Sequence, residues 1–357
     1  MITIRPVRGL PEITAGSDLA ALIAAAAGEL ADGDIVIVTS KVVAKAEGRV
    51  LEAADRDDAI SAETVRVVAR RGPLRIVQTR HGLVLAAAGV DASNVAPGHV
   101  VLLPVDPDAS ARRLRLGLAT QTGAQVAVLI TDTVGRPWRQ GLTDIAIGVA
   151  GLEPLIDLRG GTDGYGRPLD ATVIAVADEL AAATDLVKGK VAGVPVAVVG
   201  GLGHLVTGSD GTGARALIRP PDEDMFRLGT ADAVRAAVAF RGETTEFVAR
   251  PVPAELIDSA IADAGTDSAG FIRIGPADRP EVPTLVVACV RGATREVPDL
   301  LAVGAAIADL QFLLAAEEIG SSWRPLDPAR LSHLGALPTG WEPVGLLAIG
   351  YPIQPPW

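Results

Sequence analysis

Thr131, Asp132 and Thr133 follow the apolar run 126–130, and Arg136 and Arg139 flank Pro137 and Trp138 just beyond them. Carboxylate and hydroxyl oxygens at the mouth of a buried strand suit a hard cation, Mg2+ or Mn2+, rather than zinc. An Asp after a strand also serves as a turn former or helix cap. Asp91 in AAAGVDASN again trails an apolar β run. A metal shared between Asp91 and Asp132 is therefore one reading, and two independent turn residues the other. Arg136 and Arg139 form either a bidentate clamp for carboxylate or phosphate or a solvated pair stacked on Trp138.

The segment TSKVVAK (39–45) places Ser40 and two lysines after another buried run. A hydroxyl and ammonium groups at a strand end suit phosphate oxygens. A third stretch, GGLGHLVTGSDGTGARALIRP (200–220), is rich in glycine, and such backbone can approach phosphate closely and aim N–H groups at it. It fails as a dinucleotide fingerprint, because Val206 stands where Gly or Ala is expected and no helix opens there. The chain has no GxxxxGK[ST] loop and no GxSxG elbow, and His81, His99, His204 and His333 are too scattered for a zinc site.

These residues need strands and helices to hold them. Strand patterns run over 1–7, 34–39, 74–79, 82–90, 100–104, 126–130 and 194–199, with helical patterns over 19–31, 110–122 and 172–188. The order lacks an even βαβ beat, so a mixed-sheet α+β fold is expected. Past Gly229 a helix pattern (230–240) leads to a polar stretch, and a domain boundary is placed near Arg241. The second part shows a helix pattern over 251–265 that opens with Pro, a strand over 284–290, a long helix over 298–319 and a closing strand over 344–350.

Two domains also suit 357 residues with 49% hydrophobic content, and at 3% aromatic the core must be mostly aliphatic. A net charge of −11 with no basic cluster argues against nucleic acid. The opening MITIRPVRG has no apolar signal region, and the Ala-rich run after it is too short to span a membrane. A cytoplasmic protein is the expectation. Cys289, the single cysteine, sits inside TLVVACV and reads as a small buried hydrophobe.

With these pieces in order, residues 1–240 resemble the coenzyme F420-0:L-glutamate ligase family. The matching motifs are GLPEI (9–13), VTSKVVAK (38–45), AAAGVDASN (86–94), LLPVDPDAS (102–110), ITDTVGRPWRQG (130–141), VIAVADELAAATDLVKGK (173–190) and the Gly-rich loop ending in LIRP (217–220). The resemblance implies a GTP-dependent ligase that adds L-glutamate to F420-0 through an acyl phosphate, with Mg2+ or Mn2+. It further implies that Leu10, Pro11, Glu12, Ile13, Ser40, Lys45 and Asn94 contact GTP. Asp91, Asp132 and Thr133 fall where the family holds metal. Asp210, Gly211 and Gly213 are the residues expected to close on the nucleotide phosphates. Arg136 and Arg139 become candidate catalytic clamps on phosphate or carboxylate. Family precedent favours a homodimer.

The whole chain is similar to the two-domain form in which the ligase is fused to a nitroreductase-like flavin domain. Residues 241–357 depart from that pattern. Where an Arg-rich run would grip the FMN phosphate, the chain reads FRGETTEFVARPVP (240–253), with Glu243 and Glu246 in place of positive charge. The middle region between 264 and 283 looks deleted, while 303–323 and 341–352 keep the long helix and closing strand. A truncated nitroreductase-like domain without FMN is expected. The alternatives are an FMN-dependent reductase of a deazaflavin precursor and a non-catalytic deazaflavin-binding protein.

Overall fold

The apolar run 35–38 is buried on both faces, as a strand with parallel and antiparallel neighbours under two helical layers must be. In the computed structural model this run is β2 (Ile35–Thr39). All residues are described except 54, 94, 191, 242–243, 245, 275–282, 293–296, 325, 327–336 and 354–357. β2 lies in a five-stranded mixed sheet of order β1 (Thr3–Val7), β12 (Val196–Gly200), β2, β8 (Ala127–Gly135) and β9 (Leu142–Ala150). Only β2 and β8 run parallel, with Thr39 level with Thr131; the other neighbours are antiparallel.

Side chains alternate across these strands with period two, so each strand feeds two cores. Val36, Val38, Val128 and Ile130 meet α1 (Leu19–Ala27) and α4 (Pro107–Thr122) through Ile23, Leu114 and Leu118. Ile35, Ile37, Leu129 and Val149 meet α5 (Val176–Lys188) through Ala177 and Leu180. The helix α2 (Ser40–Ala46) starts directly after β2.

Smaller elements surround the sheet. β3 (Val50–Glu52) pairs with β7 (His99–Val101), and β4 (Thr64–Arg71), β5 (Leu74–Thr79) and β6 (Val84–Ala86) form an antiparallel meander after α3 (Arg56–Glu63). β10 (Ile156–Asp157) and β11 (Val173–Ile174) close a hairpin. The strand expected over 82–90 stops at Ala86, because Ala87 and Ala88 turn into the left-handed region.

The chain divides into two compact units, Met1–Gly229 and Thr230–Trp357. This moves the boundary from Arg241 to Gly229. The reason is α6 (Thr230–Phe240), which packs on α8 (Val297–Ala316) and buries Ala237 in the second unit. That unit has an antiparallel sheet of order β13 (Ala269–Ile274), β14 (Thr284–Arg291), β16 (Trp341–Gly350) and β15 (Gly320–Arg324), together with α7 (Ala254–Ala264). By length and composition α8 is apolar enough to cross a membrane. Its Val303, Ala306, Leu310 and Leu314 are in the core with Val286, Ala288 and Ile349. Cys289 is buried as expected, and burial pushes its thiol up to about 11.

Candidate active site

The parallel register of β2 and β8 brings the ends of two motifs together. Ser40, the first residue of α2, donates its hydroxyl to Asp132 Oδ1 at 2.9 Å. Asp132 does not lie after the strand as its sequence suggests. β8 continues to Gly135 and pairs with β9, and a bulge between Ile130 and Thr131 shifts the register just before the site. Such a bulge re-aims the side chains that follow it. Burial pushes the Asp132 carboxyl up to about 6; Ser40 opposes this, and the charges of Asp144 and Asp91 add to it. Among the described residues Asp132 has no Lys or Arg partner.

Beside it sits a polar group that the sequence reading missed. Asp144 on β9 accepts hydrogen bonds from Thr131 Oγ1 at 2.9 Å and Thr133 Oγ1 at 2.7 Å. Lys188, at the C-terminal end of α5, reaches Asp144 Oδ2 at 2.7 Å and Thr131 Oγ1 at 3.0 Å. Both charged side chains are enclosed, at 2% exposure for Lys188 and 4% for Asp144. Burial alone would raise the Asp144 carboxyl, but the Lys188 charge and the hydrogen bonds from Lys188, Thr133 and Thr131 outweigh it and hold the group below its ordinary value.

Thr133, Asp144 and Lys188 reach the wall of a cavity of about 610 Å3, whose lining does not include Ser40, Asp91, Thr131 or Asp132. Leu10, Pro11, Glu12 and Ile13 line it, as do Lys41 and Lys45 on α2, Thr133, Asp144, Asp185 and Lys188 on α5, and Gly189 and Lys190 just past that helix. Lys45 is buried and pairs with Glu12 at 2.5 Å. Lys41 pairs with Asp91 at 2.6 Å and also donates to Ser93 Oγ at 2.7 Å. For Asp91, burial raises the carboxyl, but Lys41 and Ser93 together bring it below its ordinary value. No three His, Cys, Asp or Glu residues close into a metal-binding cluster among the described residues.

Other expected site residues lie apart. Asn94 is outside the described residues. Arg136 and Arg139 are on the exposed β8–β9 turn and do not line the cavity; the Arg136 guanidinium donates to the Gln140 carbonyl at 2.7 Å. Between them Trp138 is 89% exposed with a φ of 63°.

The Gly-rich loop is held at the opposite end of β8. Arg115 binds Asp210 at 2.8 Å, the Thr207 carbonyl at 2.8 Å and the Val126 carbonyl at 3.0 Å. Asp108 accepts from the N–H groups of Val149 at 2.8 Å and Ala214 at 2.7 Å. From Ala127 to Asp132 the strand rise carries the chain about 17 Å. Asp210, Gly211 and Gly213 are therefore not gathered with Ser40 and Lys45. Their glycines answer a packing need, since a Cβ on Gly211 would meet the Leu152 carbonyl oxygen at 2.6 Å and one on Gly213 would meet Asp108 Oδ2 at 2.6 Å.

Comparison with known proteins adds to this geometry. A nitroreductase from Parabacteroides distasonis covers 34% of this chain and 88% of its own, at 19% identity and a TM-score of 0.28. A nitroreductase-like protein from Bacillus cereus covers 35% and 88%, at 18% identity and a TM-score of 0.29. The coenzyme F420:L-glutamate ligase of Methanothermobacter thermautotrophicus is 42% identical over 252 residues, spanning 63% of this chain and 99% of that protein. Its counterpart from Methanopyrus kandleri is 41% identical, with 63% and 98% covered. The family model for F420-0:gamma-glutamyl ligase matches residues 9–201. The chain belongs to that family.

Proposed function

We propose that the first unit joins L-glutamate to coenzyme F420-0 at the expense of GTP. The observation that carries the reading is the cavity, where the 10–13 segment and Lys45 share one wall system with Thr133. Ser40 and Asp132 meet beside it.

The γ-phosphoryl group passes from GTP to the terminal carboxylate of F420-0, giving an acyl phosphate and GDP. The glutamate amine then attacks the acyl carbon, the amide C–N bond forms, phosphate leaves and the amine loses a proton. Lys41 and Lys45 supply ammonium donors to the nucleotide phosphates, and Ser40 orients Asp132. Leu10, Pro11 and Ile13 provide an apolar wall for a planar base.

The donor set suits a divalent cation. Asp132 is half-buried without a cationic partner, and it feels the charges of Asp91 and Asp144. Two carboxylates completed by water and phosphate oxygens make an open site of the kind Mg2+ uses. Asp91, Asp132 and Thr133 would hold the ion, which would neutralise charge on the transferring group. In this reading Arg136 and Arg139 reach the substrate only from the exposed turn.

The second unit is read as one that does not bind FMN. The arginines of its opening segment are stacked on rings, Arg241 at 4.9 Å from the Phe312 centroid and Arg250 at 4.3 Å from that of Tyr351.

Mass spectrometry of the product from F420-0, GTP and glutamate with Mg2+ or Mn2+ tests the proposal. The expected outcome is a mass gain of one or more glutamyl units, with GDP released only when both acceptor and glutamate are present. GDP release without amide formation would remove the ligase reading.

A further inference from the structure

The enclosed lysine on α5 has no part in the chemistry above, yet its position is the most constrained of any cation around the cavity. We propose that Lys188 is a substrate-binding residue that gives a hydrogen bond to an anionic oxygen, phosphate or carboxylate, and that Asp144 is its positioning residue. The inference rests on the ligase reading of the cavity.

An ammonium group carries three N–H donors. Two are used, on Asp144 Oδ2 at 2.7 Å and Thr131 Oγ1 at 3.0 Å. The third has no protein partner among the described residues, and Lys188 lines the cavity. A buried ion pair is a poor device for stability alone, because apolar residues of similar volume serve as well or better. A donor left unused on a cavity-lining residue is what such a pair offers and an apolar pair cannot.

Asp144 accepts three hydrogen bonds, from Thr131, Thr133 and Lys188. The lysine is therefore aimed by a partner that is itself fixed. Low exposure at this point strengthens any hydrogen bond to charge that enters. Asp185 and Lys190 lie nearby on the lining, and Lys41 and Lys45 reach the same cavity from α2. An anion in the cavity is thus approached by cations from two separate elements.

Removing the lysine alone would strand a buried carboxylate, so the test exchanges the ion pair for a neutral amide pair, one bond shorter at position 188. The double variant Lys188→Gln with Asp144→Asn is titrated calorimetrically with GDP plus Mg2+, with inorganic phosphate and with L-glutamate, and its thermal unfolding is recorded. The expected result is a Kd raised about tenfold or more for GDP or for glutamate, with cooperative unfolding retained. A parallel loss for GDP and phosphate assigns the oxygen to phosphate, whereas a loss for glutamate alone assigns it to carboxylate. A folded variant with wild-type Kd values for all three overturns the proposal. Should the double variant not fold, Lys188→Arg keeps the pair and displaces the donors. A raised KM for one substrate then supports the assignment, and an unchanged KM for every substrate overturns it. If the wild type binds none of the three ligands, the ligase reading itself falls and takes this inference with it.

Discussion

At the scale of single residues, the cost of the site is concentrated in Asp132. Its folded-state carboxyl stands at about 6 against an ordinary 3.8, first because it is buried. The folded protein then holds a proton that the unfolded chain releases, so stability falls as pH rises from about 4 to about 6 and the full cost persists above that range. In metal-free protein Asp132→Asn should raise stability at pH 7.5 by about 1–3 kcal/mol and change it little at pH 4. Thermal melts at the two pH values check this, and a destabilised variant at pH 7.5 would refute it. The same variant is expected to lose metal-dependent ligation. Lys45→Ala should weaken GTP binding more than deazaflavin binding, as measured by separate titrations; the reverse order would reassign the lysine. Asp132, Thr133, Ser40 and Lys45 could all be found in the sequence because their types stand out after apolar runs. Asp144 and Lys188 could not. In LTDIAIG the Asp reads as an ordinary strand residue, Lys188 reads as a solvated helix end, and their pairing spans 44 positions.

At the scale of elements, β8 does two jobs. The residue just before it, Val126, binds Arg115, which holds the Gly-rich loop, and its later residues carry Asp132 and Thr133. Glycine in that loop invites a nucleotide reading from sequence, because permissive backbone suits both phosphate approach and tight packing. The geometry favours packing. Gly213 has a φ of 79° with Asp108 in the space of a Cβ. Gly213→Ala should therefore cost about 1–3 kcal/mol of stability and leave the GTP affinity of the folded fraction unchanged. A large rise in GTP Kd without a loss of stability would return the loop to the nucleotide site. The central strands were legible because continuous apolar runs mark strands covered on both faces. β4, TVRVVARR, was hidden by its arginines, and the strand through ITDT was cut short because polar residues inside a hairpin resemble a turn.

At the scale of the whole molecule, the polar cavity belongs to the first unit. The purified chain is expected to be colourless, without the visible absorbance of a flavin, because Glu243 and Glu246 stand where positive charge would grip the FMN phosphate. Stoichiometric FMN would overturn that expectation and restore the reductase alternative. Of the formal charge of −11 the first unit carries only part, with 23 Lys and Arg against 27 Asp and Glu in residues 1–229. Lys41, Lys45 and Lys188 are each matched to one carboxylate, Asp91, Glu12 and Asp144. The cavity of the free protein is therefore a zwitterion rather than a basic trap. A polyanion entering alone must displace carboxylates one at a time, whereas one arriving with a divalent ion brings the counter-charge that those carboxylates need. GTP should accordingly bind much more weakly after chelation of divalent ions than in their presence, a difference that titration with and without EDTA would measure. Equal affinity in both conditions would mean that the lysines are not held in reserve. On the proposed function, the paired carboxylates would act as a filter that favours a nucleotide carrying its own divalent ion over the same nucleotide without one.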